Sequence, residues 1–148
     1  MRFLRCAANF SAAAVITAGA LASPAPTHAA GTAWACPPTV SRFVDALANI
    51  DGQLNVGINF ATYRAAYTRA QVAYARMPVR QLPYGCLNYV AVPAEKALNA
   101  YTVAYNIWSK CIATYGCDIH AAGVNRRLQF RWSLAHRSLQ TAENNLAP

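Results

Sequence analysis

Leu98, Tyr101, Tyr105, Trp108, Ile112 and Tyr115 follow one another at spacings of three and four. That spacing holds one face of a helix apolar, and a half-buried strand cannot reproduce it. It predicts a helix from about Ala94 to Tyr115. A second run predicts another from about Ile119 to Asn145, with Val124, Leu128, Trp132, Ala135, Leu139 and Ala142 as its apolar face. No alternating strand pattern persists anywhere, so the fold class read from the chain is all-α.

The first helical region is less simple. It follows Pro37-Pro38, with Thr39 or Ser41 placed to cap it. Val40, Phe43, Leu47, Ile50, Leu54, Ile58, Ala61, Ala65 and Val72 keep one helical phase. A second stripe of Phe60, Tyr63, Tyr67, Ala70 and Tyr74 lies on the opposite face. Gly52 and Gly57 weaken the middle by about 1 kcal/mol each. The region is therefore one kinked helix to about Met77, or two helices folded back at Asp51-Gly52. The expected architecture is a small disulfide-stapled bundle of three long helices, or of four segments if the first folds back. A continuous first helix would leave Phe43, Leu47 and Ile50 overhanging a helical hairpin, which makes a homodimer one outcome.

Between Pro78 and Pro93 three prolines and a Pro-Tyr-Gly segment predict a connection without regular helix. The other connection, CIATYGCDIH from Cys111 to His120, is short. Gly116 suits a left-handed helix end and Asp118 suits a helix start, so turn chemistry explains both.

The N-terminus reads as a secretory signal peptide over 1–29. Arg2 and Arg5 precede the apolar run Phe10–Ala22, and Pro24, Pro26 and small residues follow. Small residues place the cut after Ala22, Ala29 or Ala30. A short extension over 30–38 then leads into one helical domain over 39–146. The apolar run is shorter than the roughly 20 residues of a membrane span, so no transmembrane segment is expected after cleavage. The expected location is secreted, periplasmic or at the cell envelope.

Export bears on the cysteines. Cys36, Cys86, Cys111 and Cys117 remain of the five, an even number that reads as two disulfides. Four cysteines allow three connectivities. A fold-back at Asp51-Gly52 would bring Cys36 to Cys86 at one end and leave Cys111 with Cys117 at the other. A zinc site is disfavoured because Cys111, Cys117 and His120 supply at most three nearby ligands. A redox pair would need Cys-x-x-Cys, which is absent.

Charge bears on partners. Thirteen basic residues less Arg2 and Arg5 leave eleven, against five acids, a net charge of +6. The segment Asn125–Arg137 concentrates Arg126, Arg127, Arg131 and Arg137 around Phe130 and Trp132, and Arg69, Arg76 and Arg80 extend the charge. Such a surface attracts polyanions. For an exported chain the nearer polyanion is an envelope polymer or lipid surface, not a specific nucleic acid.

Catalytic patterns are absent: no Gly-x-Ser-x-Gly, no Gly-rich phosphate loop, no His-Glu-x-x-His. His120 and His136 lie more than ~20 Å apart if one helix carries both. No enzyme, metal or cofactor is expected. The leading expectation is non-enzymatic binding of an anionic partner through Arg126, Arg127, Arg131, Arg137, Phe130 and Trp132. The alternative is a carrier holding a flat or apolar ligand, such as haem or lipid, in a slot lined by Tyr63, Tyr67, Tyr74, Tyr101 and Tyr105.

Overall fold

A computed structural model describes residues 33–147. The signal segment read over 1–29 and its cleavage sites lie outside the described residues. Four helices form the molecule: α1 (Pro38–Val56), α2 (Phe60–Ala75), α3 (Val92–Ala113) and α4 (Ala122–Asn145). They make two antiparallel hairpins, α1 with α2 and α3 with α4, packed into one bundle.

The chain does fold back, but not at Asp51-Gly52. α1 runs through that pair, and the reversal comes at Gly57–Asn59. Gly57 takes a positive φ of 86°, a conformation that costs glycine nothing. Asn59 then starts α2, its Oδ1 accepting from the Thr62 N–H at 2.9 Å. Gly52 has open space beside it and costs only its intrinsic propensity. Phe43, Leu47 and Ile50 are consequently buried inside the chain, so the overhang of a continuous first helix does not arise.

The reversal also resets the helical phase. α2 buries Tyr63, Ala66, Tyr67 and Ala70, members and neighbours of the second stripe. Ala61, Ala65 and Val72, which continued the first stripe on paper, face outward. In α3 the buried face is Ala94, Ala97, Leu98, Tyr101 and Ala104. Ile112, in the last turn of α3, is exposed, and Tyr115 lies beyond the helix end at Ala113 and is exposed as well. α4 buries Leu128, Ala135, Leu139 and Ala142 as expected, with Val124 and Trp132 partly covered.

Three terminal details depart from the sequence reading. Pro37, not Thr39 or Ser41, precedes α1, and no side chain caps it. Asp118 does not cap α4; its Oδ1 accepts from the His120 N–H at 2.8 Å and tightens the corner. Gly116 does take the positive φ, 73°. The Pro78–Pro93 connection is more ordered than its prolines suggest. A 3₁₀ turn spans Val79–Gln81, and a π-helical turn over Cys86–Ala91 runs straight into α3. Bonding there reaches five residues back, Val92 N–H to Leu87 C=O. The wider turn makes room for Pro93, whose ring would crowd the carbonyl four residues back in a regular helix.

The two disulfides are Cys36–Cys86 and Cys111–Cys117, with Cα atoms 5.4 and 5.3 Å apart. They sit at opposite ends of α3. Next to the first, Trp34 ties the N-terminal segment to the C-terminus: its N–H donates to Asn145 C=O (2.7 Å), and its own C=O accepts from Ala147 N–H (3.0 Å). Its indole stacks on Tyr89, ring centres 5.4 Å apart, and lies so close over Gly85 that any side chain there would collide with it. Two disulfides fit an oxidising compartment. Among the described residues no helix is long and apolar enough to cross a membrane.

The two bridges close loops of unequal length, 50 and 6 residues in separation. Loop entropy predicts a cost of about 4 kcal/mol for removing Cys36–Cys86 and about 2 kcal/mol for removing Cys111–Cys117. Urea unfolding of the two paired Cys→Ala variants checks the order and the size.

Candidate functional site

The five tyrosines read as a ligand slot fill the space between helices. Tyr63 and Tyr101 are fully buried and Tyr67 nearly so. Each buried hydroxyl has a protein partner. Tyr63 donates to the Tyr101 C=O (2.9 Å), Tyr67 to Thr102 Oγ1 (3.0 Å), and Tyr101 to Asp51 Oδ1 (3.1 Å). Half-buried Tyr74 donates to Glu95 Oε1 at 2.8 Å. The rings pack on one another and on Phe60, Trp108 and Trp132. Tyr67 and Tyr105, for example, stack with centres 4.8 Å apart. Aromatic packing and satisfied hydroxyls make this a core, with no tyrosine-lined cavity among those described below.

Burial disfavours the phenolate of Tyr63 and Tyr101, pushing both well above the ordinary tyrosine value. At Tyr101 the Asp51 carboxylate adds to the effect of burial. Tyr74 is raised chiefly by its hydrogen bond to Glu95.

Asp51 is where three helices meet. From α1 its Oδ1 receives the Tyr101 hydroxyl of α3, and its Oδ2 lies 2.9 Å from His136 Nδ1 of α4. A bond to Nδ1 leaves the other ring nitrogen, Nε2, uncommitted. Beside the pair is a cavity of about 260 Å³ between α1 and α4, lined also by Asn55, Gln129, Trp132 and Ser133. Sequence reasoning missed this contact. Asp51 falls at an apparent turn of the sequence, and 85 positions separate it from His136, so no local pattern joins them.

Two of the other four acids are engaged in the same way, while Asp45 and Glu143 make no ion pair. Glu95 serves Tyr74, and Asp118 serves a backbone N–H. The Asp51–His136 contact is the one ion pair found among the described residues, so no arginine or lysine there lies within 4 Å of a carboxylate. No cluster of three or more His, Cys, Asp or Glu that could hold a metal ion occurs among them either.

The cationic residues read on α4 divide into two groups. Arg126, Phe130 and Arg137 point away from the core, and Phe130 is 54% exposed. Arg127 and Arg131 lean over α3, beside Lys110 and Lys96 respectively. The Arg131 guanidinium carbon lies 5.5 Å from the centre of the Phe130 ring, which links the groups. Trp132 stands apart from them. It turns inward and packs edge-on against Trp108, centres 5.8 Å apart. A further concavity of about 330 Å³ lies between α1 and α2 and is lined by Arg42, Arg69 and Arg76.

No family model, curated protein or solved structure matches the chain.

Two outcomes follow from the Asp51 contacts. Asp51→Ala strands the fully buried Tyr101 hydroxyl and is expected to cost about 2–3 kcal/mol. His136→Ala removes a partner whose side chain is 43% exposed, and is expected to cost no more than about 1 kcal/mol. Chemical denaturation of the two variants separates the effects. The second outcome concerns alkaline pH. Tyrosines whose folded values are raised support the fold fully below their unfolded value, about 10, and that support is lost as pH rises beyond it. Phenolate absorbance should show Tyr63 and Tyr101 ionising only as the fold opens.

Proposed function

We propose that this chain is a small exported, non-enzymatic binding protein whose α4 face docks on an anionic envelope surface. Arg126 and Arg137 face that surface together with Phe130, and Arg127 and Arg131 widen the positive field on the α3 side. One observation carries the reading. The acids of the described residues are engaged by tyrosines, a histidine and backbone or lie outside any ion pair, which leaves the arginines and lysines without carboxylate partners. A surface so composed keeps its full attraction for polyanions. The exposed Phe130 ring, flanked by guanidinium groups, favours a lipid surface over a purely polar polymer, because it gains only where apolar material can cover it.

Sedimentation with vesicles tests this. Phosphatidylcholine vesicles containing phosphatidylglycerol should bind the protein, and pure phosphatidylcholine vesicles should not. Each arginine near such a surface contributes about 1 kcal/mol, so Arg126→Gln with Arg137→Gln should weaken binding roughly thirtyfold. Added salt should weaken it steeply. Binding that ignores salt, or survives the double substitution, contradicts the proposal.

A further inference from the structure

The α1–α2 groove is a second cationic feature, built differently from the α4 face. Arg42 projects from α1, Arg69 from α2 and Arg76 from the residue that ends α2, into one concavity of about 330 Å³. Arg69 and Arg76 are two helical turns apart, about 10 Å along the axis. Between them the floor is apolar: Val72 is 44% exposed, and Ala73 lies beside it. Thr68 completes the rim and Thr39 the wall, and the Thr39 hydroxyl has no hydrogen-bond partner.

Among the described residues no carboxylate approaches these three guanidinium groups within 4 Å, although Asp45 lies one turn along α1 from Arg42. The polar contact found for them is a long one, Arg69 Nη2 to the neutral Asn49 Oδ1 at 3.4 Å. Three like charges thus share a concave wall, uncompensated. An oxyanion entering the groove would relieve that repulsion and meet planar donors suited to bidentate bonding. One arginine suffices for a monocarboxylate, whereas three suit the double charge of a phosphomonoester. The Val72 floor would remain wet under a bare phosphate ion, and covering it requires an apolar body on the same molecule.

We propose that the α1–α2 groove binds a phosphomonoester group carried on a short apolar body. The site is separate from the α4 face and does not depend on it.

The test is calorimetric titration of the disulfide-bonded protein with three soluble probes: dihexanoyl phosphatidic acid below its micellar range, inorganic phosphate, and octanoate. The phosphatidic acid should bind one to one, at least about tenfold more tightly than either of the others. Arg42→Gln and Arg76→Gln should each weaken it about tenfold, as removal of one charge-assisted contact implies. Val72→Glu, at an exposed position, should abolish it while circular dichroism stays unchanged. Equal affinity for inorganic phosphate would reduce the groove to a plain ion site and overturn the proposal. Equal affinity for octanoate, no phosphatidic acid binding, or binding indifferent to the groove variants would also overturn it. The Arg126→Gln/Arg137→Gln protein should keep the groove affinity. Loss of vesicle binding with groove affinity intact, or the reverse, tells the failure of one site from that of the other.

Discussion

A buried phenol without a hydrogen-bond partner costs about 1–3 kcal/mol, and this bundle buries three tyrosines almost completely. How their hydroxyls are satisfied governs much else. Tyr63 finds a backbone carbonyl, Tyr67 a threonine, and Tyr101 the carboxylate of Asp51. These bonds cross from α2 to α3 and from α3 to α1, so they fix the sliding of the helices against one another. Apolar packing alone, with many alanines at the contacts, would hold that register less firmly. Asp51 then adds α4 through His136. A single carboxylate thereby joins α1, α3 and α4.

The same economy of acids shapes the outside. With five acids against eleven cations in the described residues, each carboxylate given to a tyrosine, a histidine or a backbone amide is one that no arginine receives. The positive surface is therefore tied to how the interior is satisfied. Surface ion pairs contribute little to stability in any case, so their absence weakens the fold only slightly. What they would have neutralised stays available to a partner. The α4 face and the α1–α2 groove are two shapes of that availability, one convex with Phe130 at its centre and one concave with Val72 at its floor.

Much of the fold is legible in the sequence, because α3 and α4 carry long uninterrupted stripes and short, chemically plain ends. The disulfide pairing follows once the first region folds back. The position of the fold-back is harder to read. Apolar phase continues through Gly57, so Asp51-Gly52 looks like the better turn, yet Asn59 as a helix start and Gly57 at positive φ decide otherwise. That shift also decides which stripe of α2 goes inward. The Asp51–His136 contact and the meeting of Arg42 with Arg69 and Arg76 depend on register between distant segments, which no local pattern encodes. The arginines of α4 were legible as a group, but Trp132 was not separable from them until the helix was set against the core.

The central claim is that cations on this surface repel one another without carboxylate partners while tyrosine contacts hold the interior. The most direct measurement is the melting temperature of the disulfide-bonded protein as sodium chloride rises from about 10 mM to about 300 mM, over which the screening length falls from roughly 30 Å to several ångströms. Screening removes repulsion between like charges, so the melting temperature should rise. A fall would mean that attractive ion pairs hold the molecule together, and would contradict the account.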